Sequence, residues 1–380
     1  MDFNYTEEQL ALQDTLRRFI AKDYGFEQRR ALAKSAEGFS RDHWRQFAEL
    51  GILALPFPEE FGGLNGDAVD TMLVMEMLGR GLVLEPYLAT VILCGGLIRD
   101  NATQAQKEAL LPAIAGGDLL MGLAHYEGGG RYELNHVATK ATPDGGGYTL
   151  NGAKAVVLSG GATDKLIVSA RTGGAPSQPD GISLFLVERN APGLTVRSYP
   201  TQDGARAAEI RLVEVGVAGD AMIGAMSQAL PLIERAFDYA IAALCAEAVG
   251  AMAALNEVTL EYLKTRKQFG QPIGRFQALQ HRMVDMLVAT EQARSMATLA
   301  AVKADSRDPA ERRRAISAAK AYVGQSARSV GQAAVQLHGG MGVVDELNVS
   351  HYFKRLTMIN ATFGDADHHL GLFSDMLLAA

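Results

Sequence analysis

The segment INATFGDADHHL, residues 359–370, contains four chemically active side chains within five consecutive positions: Asp365, Asp367, His368 and His369. Carboxylates and imidazoles transfer protons near neutral pH and bind metal ions. The segment could therefore be a metal site, an acid–base group or the start of a helix. A metal site is the least favoured, because adjacent histidines on a helix diverge by about 100° and do not easily share one ion.

Two glycine-containing motifs in the C-terminal part have both a structural and a functional interpretation. In TRKQFGQPIGRFQALQ, Arg266 follows a predicted long helix, where a cation complements the helix dipole, but its planar guanidinium also suits a diphosphate. In QLHGGMG, Gly339 and Gly340 are typical of a helix end, but they also allow a phosphate or sugar to approach the backbone. The residues alone leave both alternatives open.

Composition indicates an ordinary globular protein. The chain has 380 residues, of which 48% are hydrophobic and 21% charged, and its net charge of −7 argues against nucleic-acid binding. The most apolar run is interrupted by Glu247 and is short for a membrane span. Cys94 and Cys245 lie in apolar surroundings, which predicts buried thiols in a reducing compartment. With an acidic, polar start instead of a signal peptide, we expect a cytoplasmic protein.

Three segments differ in their patterns and predict three domains. Residues 1–120 predict helices, two of which begin with capping boxes at Thr6 and Thr103. Residues 121–222 contain short alternating runs separated by turn residues, which favour strands in a small barrel or sandwich. Residues 223–380 contain three long helical segments, ending near residues 266, 305 and 338, and predict an antiparallel bundle. No G-x-G-x-x-G follows a strand, so these patterns name no cofactor.

The chain resembles the acyl-CoA dehydrogenase superfamily over essentially its whole length. The resemblance lies in the order of the segments and in two motifs, R-x-x-F-G-x-x-I from Arg266 and Q-x-x-G-G-x-G from Gln336. The resemblance implies a mostly α, α+β fold with an N-terminal helical domain, a middle β-barrel and a C-terminal four-helix bundle. YPTQDG, LKTRKQFG and FGDADHHL are similar, within that superfamily, to the small subunit of pimeloyl-CoA dehydrogenase.

The resemblance also implies an activity, a cofactor and partners. A carboxylate takes the α proton of an acyl-CoA thioester while a hydride passes from the β carbon to FAD, and an electron-transfer flavoprotein reoxidises the flavin. FAD is shared across the subunit interface of a tetramer. The residues implied in binding FAD are Arg266, Phe269 and, on the adenosine side, Gln277, with Gln336, Gly339 and Gly340 near the pyrophosphate.

The chain departs from the family pattern at the catalytic base. Phe363 occupies the position of the usual glutamate, and Ala240 occupies the alternative position on the long helix. Neither can take a proton. Three carboxylates remain as candidates. Asp365 is the preferred one, although its side chain could cap the following helix instead of, or as well as, taking the proton. Glu247 lies two turns beyond Ala240 on a mostly apolar helix, where a buried carboxylate needs a partner. Asp367 is the third, and we expect it to be exposed.

A second departure lies in the middle segment. Glu127 is kept from the family's T-E-P-x-x-G-S-D stretch, but Val156-Val157-Leu158 replaces the W-I-T or W-I-S stretch that touches the flavin rings. Ser159, next to Leu158, could supply the missing hydroxyl group.

Three hypotheses follow from these departures. The chain is an autonomous FAD-dependent acyl-CoA dehydrogenase using Asp365 or Glu247, a base-lacking subunit of a hetero-oligomer whose related chain brings the glutamate, or a flavin-free scaffold subunit. The retained FAD motifs favour the first two. A medium-chain or dicarboxylic acyl-CoA is the expected substrate, and a ring-bearing acyl group is the alternative. No metal is expected.

Overall fold

A computed structural model describes residues 5–378 and divides into two compact units. One unit contains the chain up to Ala31, residues Asp67–Val83 and the chain from Ile241 onward, and the other contains Leu32–Gly66 and Leu84–Ala240. Helices from the first 120 residues contribute to both units. The boundaries predicted at residues 120 and 222 stay a prediction.

The N-terminal part is helical, as predicted. Its α-helices are α1 (Glu7–Asp23), α2 (Phe26–Lys34), α3 (Arg41–Glu49), α4 (Ala68–Gly81), α5 (Gly96–Asn101) and α6 (Gln104–Ala115), and a π-helix spans Leu88–Gly95. Both predicted capping boxes are present: the hydroxyls of Thr6 and Thr103 accept hydrogen bonds from the amides of Gln9 and Gln106, whose side chains accept bonds from the threonine amides. These bonds fix where α1 and α6 begin.

The middle part forms one eight-stranded sheet. Its strands are β1 (Met121–Ala124), β2 (Lys140–Asp144), β3 (Gly147–Leu158), β4 (Lys165–Arg171), β5 (Ile182–Glu188), β6 (Leu194–Pro200), β7 (Arg206–Ala218) and β8 (Met222–Ile223). They follow the order β6-β7-β3-β2-β4-β5-β8, and β1 pairs in parallel with β4. Alternate side chains such as Leu150, Val168 and Ile210 point into an apolar core, which explains the alternating pattern in the sequence.

Five helices make up the C-terminal part: α7 (Leu230–Thr265), α8 (Gln277–Ala304), α9 (Pro309–His338), α10 (Asn348–Ala361) and α11 (Ala366–Leu378). Helix α9 packs against α8, α10 and α11 and is the central helix of this group. The carboxylate of Asp308 caps α9 by accepting bonds from the amides of Ala310 and Glu311. The three long predicted helices correspond to α7, α8 and α9.

Helix α7 is a core helix. It is long and apolar enough to cross a membrane, but 83% of its most apolar window is buried inside the protein. Cys245 on α7 and Cys94 on the π-helix are buried and free, as predicted, and burial raises the pKa of both thiols, that of Cys245 to about 12. Neither thiol is therefore a ready nucleophile.

Helices α4 and α7 touch backbone to backbone. A Cβ atom added at Gly79 would lie 2.0 Å from the carbonyl oxygen of Glu247, and one added at Gly250 would lie 1.8 Å from that of Glu76. Only glycine allows this approach at either position. The contact fixes the rotation of α7 about its axis and thereby the direction of the Glu247 side chain.

Candidate functional site

The loop between α10 and α11 carries the preferred candidate base, Asp365. Its Oδ1 accepts a hydrogen bond from the amide of His368 at 2.9 Å, and its carbonyl oxygen accepts one from the amide of His369 at 3.1 Å. These are the bonds of a helix N-cap, so the predicted capping role is present. Asp365 is only partly buried, whereas Phe363, at the family's glutamate position, is buried.

Glu247, the second candidate, forms a buried ion pair with Arg355 of α10. Arg355 Nε lies 2.5 Å from Glu247 Oε1, and Arg355 Nη2 lies 2.8 Å from Oε2. The side chains are 6% and 20% exposed, respectively. Such a two-point contact is the strongest form of carboxylate–guanidinium pairing, and it occupies both oxygens of Glu247. The sequence requirement that a carboxylate here needs a partner is thus met by Arg355.

Two further positions named in the sequence analysis are Ala240 and Asp367. Ala240 is fully buried on α7, and Asp367 is exposed on the first turn of α11, as expected. His368 and His369 have ring centroids 5.3 Å apart and nearly perpendicular planes, at 84°. Among residues 5–378, no three His, Cys, Asp or Glu side chains form a group that could hold a metal ion.

The ends of α7 and α9 bring two of the predicted FAD motifs together. The Tyr262 ring stacks on His338 at a centroid distance of 4.3 Å, and its hydroxyl donates to the His338 carbonyl oxygen at 3.4 Å. Arg266 follows the end of α7 directly, and Gly339 ends α9. Both motifs therefore lie at the same end of this unit.

A short hairpin beyond Arg266 presents an aromatic side chain to solvent. Its strands are β9 (Lys267–Gln268) and β10 (Gln271–Pro272), and Phe269 lies in the turn with φ of 52°. Phe269 is 90% exposed, and its ring is nearly perpendicular to that of Phe276, with the two centroids 6.0 Å apart. Gln277, the first residue of α8, is exposed as well. The hairpin and the start of α8 thus expose the Phe269 ring and the Gln277 side-chain amide to another molecule.

The glycine pair after α9 leaves its backbone open. Gly339 has φ of 59°, a left-handed conformation suited to glycine, and no heavy atom lies within 4 Å of a Cβ built at Gly339 or Gly340. Gln336, one turn earlier, is exposed. Within residues 5–378, the side chains of Arg266 and Gln336 make no hydrogen bond or ion pair. An uncommitted guanidinium and an open backbone at the same end of the unit suit the diphosphate of a dinucleotide such as FAD.

In the other unit, the end of β3 is strained where the family has W-I-T. Pairing of β3 with β7 shifts register between Lys154 and Val157, and Val156 has φ of 53°, which is rare for a β-branched residue. Val156 is 50% exposed. Ser159 also has φ of 53°, and its amide donates to the Arg206 carbonyl oxygen at 2.9 Å. Strain of this kind is concentrated at functional sites.

Glu127 belongs to a buried polar network beneath this strand. Its carboxylate accepts bonds from Lys154 Nζ at 2.6 Å and from the amides of Ala138 and Thr139. Lys154 Nζ also donates to Ser169 Oγ at 2.9 Å. Burial lowers the pKa of Lys154 to about 8, although Glu127 opposes the shift. Glu127 therefore anchors the loop after β1 and is not itself available for proton transfer.

Sequence reasoning did not identify three residues that organise these sites, Lys154, Lys320 and Arg355, and it considered His369 only as an unfavoured metal ligand. Lys154 and Lys320 are charged residues inside otherwise apolar or small-residue runs, GAKAVV and SAAKAYV, and this pattern could have indicated buried ammonium groups. Arg355 lies 108 residues from its partner, so no local pattern predicts the pair.

Comparison with known proteins agrees with this architecture. Family models for the N-terminal, middle and C-terminal domains of acyl-CoA dehydrogenase match residues 6–118, 122–215 and 230–378. The chain is 30% identical to the "Probable acyl-CoA dehydrogenase YngJ" of Bacillus subtilis over 97% of both chains.

Two solved structures are also similar. The structure of PigA with FAD and proline has a TM-score of 0.91 at 27% identity and covers 99% of each chain. A variant of the Tcur3481-Tcur3483 steroid ACAD has a TM-score of 0.88 at 29% identity and covers 98% of each chain. The cofactor of this group is FAD. From its three matched domains and its fold, the chain belongs to the acyl-CoA dehydrogenase family.

Proposed function

We propose that this chain catalyses FAD-dependent α,β-dehydrogenation of an acyl-CoA thioester with Asp365 as the acceptor of the α proton. The observation that carries the assignment is the Glu247–Arg355 pair, which commits both carboxylate oxygens of Glu247, the second candidate. Asp365 is the carboxylate on the loop before α11, two residues after Phe363, and it is partly exposed.

The chemistry divides between cofactor and protein. FAD, when bound, accepts the β hydrogen with its electron pair. Asp365 removes the α proton, which requires its oxygen within hydrogen-bond reach of the α carbon's hydrogen. The N-cap bond to His368 orients the Asp365 carboxylate before substrate arrives, which lowers the entropy cost of reaching the reactive geometry.

The FAD assignment rests on the groups that are uncommitted in each unit. Arg266 would hold the diphosphate, which Gln336 and the open backbone at Gly339 and Gly340 would line, and Gln277 would lie on the adenosine side. Ser159 would bond the flavin end in place of the family's hydroxyl residue. Because Phe269 is 90% exposed, we assign it and Arg266 to the FAD of a neighbouring subunit in a tetramer.

The acyl group and the electron acceptor extend this proposal. The motifs shared with pimeloyl-CoA dehydrogenase support a medium-chain or dicarboxylic acyl-CoA. An electron-transfer flavoprotein is the proposed electron acceptor. One structurally similar chain comes from a structure described as the electron transferring flavoprotein of Acidaminococcus fermentans.

A visible absorption spectrum of the purified chain, recorded before and after adding acyl-CoA thioesters, tests the function. We expect flavin bands that bleach anaerobically with octanoyl-CoA or pimeloyl-CoA. A flavin that stays oxidised with a series of short, medium, dicarboxylic and ring-bearing thioesters would contradict an autonomous dehydrogenase.

A second candidate function is that of a base-lacking subunit in a hetero-oligomer. The capping bond of Asp365 and the inert side chains of Phe363 and Ala240 favour it. In that case, neither this chain nor a related chain that has the family's glutamate would show flavin bleaching when purified alone. Coexpression of the two chains would give a complex whose flavin bleaches with acyl-CoA. A flavin-free scaffold is the least supported alternative, because Arg266 and the glycine pair are retained.

A further inference from the structure

Lys320 of α9 is a buried cation that bonds both the end of α10 and the loop that carries Asp365. The residue is fully buried, and Nζ donates to the carbonyl oxygens of Ile359 at 2.9 Å, Asn360 at 2.8 Å and Gly364 at 2.7 Å. The first two acceptors are in the last turn of α10, and the third directly precedes Asp365. One ammonium group thus joins the two ends of the loop.

His369 of α11 holds the same loop from the other side. Its Nε2 lies 2.9 Å from the Phe363 carbonyl oxygen, and its Nδ1 lies 3.4 Å from Ser317 Oγ. A carbonyl oxygen only accepts, so Nε2 is the protonated nitrogen. Burial lowers the pKa of His369 to about 4, which keeps the ring neutral near pH 7 and this arrangement intact.

The loop conformation between these two clamps is not one that its residues adopt by preference. Phe363 has φ of 60° and Gly364 has φ of 107°. A left-handed conformation strains a non-glycine residue and persists only where surrounding contacts enforce it. The captured carbonyl groups of Phe363 and Gly364 are those contacts.

We infer that Lys320 and His369 are positioning residues for dehydrogenation: by fixing the carbonyl groups of Phe363 and Gly364, they set the place of the Asp365 carboxylate. The inference rests on the proposed role of Asp365. Burying an ammonium group that bonds only neutral carbonyl groups costs free energy, because burial opposes its charge. An apolar side chain would fill the same space without that cost, so packing alone does not explain a lysine here. The preorganised loop gives that charge a function.

The experiment measures flavin reduction by stopped flow in the FAD-loaded protein, comparing Lys320→Met with Arg328→Met, an exposed residue on the same helix. Lys320→Met keeps an unbranched side chain that is one heavy atom shorter and removes the hydrogen-bond donors. Because a displacement of about 1 Å can cost roughly 10²-fold in rate, we expect a loss of that order for Lys320→Met, with acyl-CoA affinity changed by less than about threefold. Arg328→Met should behave as wild type.

A double-mutant cycle separates positioning from general structural support. If Lys320 acts through Asp365, Lys320→Met should slow flavin reduction no further in an Asp365→Asn background. A wild-type reduction rate in Lys320→Met, or an equal loss in both backgrounds, would overturn the inference. Should Lys320→Met fail to fold, His369→Leu carries the same test, because it removes the bond to Phe363.

Hydrogen exchange distinguishes failure of this inference from failure of the proposed function. If the wild-type flavin is not reduced at all, the proposed function has failed, but the clamp can still be judged on the amides of residues 362–366. Faster exchange there in Lys320→Met than in Arg328→Met supports the clamp, and equal exchange overturns it.

Discussion

The Glu247→Gln substitution separates a structural from a catalytic role for Glu247. It keeps the shape of the side chain but removes the charge that Arg355 binds at 2.5 and 2.8 Å. Removing one partner of a buried ion pair costs about 3–5 kcal/mol; since the Arg355 side chain is 20% exposed, we expect the free energy of unfolding to fall by about 2–4 kcal/mol.

The same helix provides a matched control. Glu257 pairs with Arg80 at 2.7 Å, but its side chain is 65% exposed. Surface pairs contribute about 0–1 kcal/mol, so Glu257→Gln should lower the free energy of unfolding by less than about 1 kcal/mol. Replacing both members of the buried pair, Glu247→Leu with Arg355→Met, should recover most of the lost stability.

The assay is urea unfolding followed by far-UV circular dichroism, with FAD and protein concentrations held constant, because a bound cofactor and association both shift apparent stability. If Glu247→Gln unfolds at the wild-type urea concentration but abolishes flavin reduction, Glu247 is the base. The assignment of Asp365 would then be wrong.

Two further predictions concern buried titratable groups. Burial lowers the pKa of His369 to about 4 in the folded state, against 6.5 in the unfolded chain, so the unfolded state binds the proton more tightly. The neutral ring therefore contributes stability that is fully present above pH 6.5 and is lost as pH falls to 4. The loss of folding free energy amounts to about 3 kcal/mol. Urea unfolding across this pH range should show that the stability of His369→Leu depends less on pH than that of the wild type. The control His281→Gln, at an exposed residue, should match the wild type. Identical pH dependences for all three proteins would contradict the burial argument. Lys154→Met leaves the Glu127 carboxylate buried without its ammonium partner and should lower the free energy of unfolding by about 3–5 kcal/mol. The control Lys165→Met, which breaks an exposed pair, should lower it by less than about 1 kcal/mol. Equal losses of stability in thermal or urea unfolding would refute the buried network.

Local patterns predict most of the fold because its elements end at strong signals. The long helices α7, α8 and α9 end near glycine or proline or begin at a capping residue, and strands β3 to β6 are separated by Gly, Pro and Asp clusters. Strand β7, Arg206–Ala218, has a weaker signal, because RAAEIRLVEVGVA alternates only partly between apolar and polar residues. Its pairing with both β3 and β6 is a long-range property.

The candidate site is less predictable because its decisive contacts join distant parts of the chain. The sequence indicates that Glu247 needs a partner and that Asp365 could cap a helix, and the structure contains both features. It does not indicate that Arg355 is the partner, or that Lys320 captures the carbonyl group of Gly364, 44 residues further along the chain. Such pairs depend on how helices pack, which local periodicity does not specify.

The most direct test of the central claim compares Asp365→Asn with Asp367→Asn in anaerobic flavin reduction by acyl-CoA. Asparagine caps a helix about as well as aspartate, so Asp365→Asn removes the proton acceptor while keeping the N-cap bond to His368. Loss of a general base costs about 10²–10⁴-fold, so we predict a decrease of that size for Asp365→Asn and a change below about twofold for exposed Asp367→Asn. Bleaching at the wild-type rate in Asp365→Asn would contradict the assignment of Asp365 as the base.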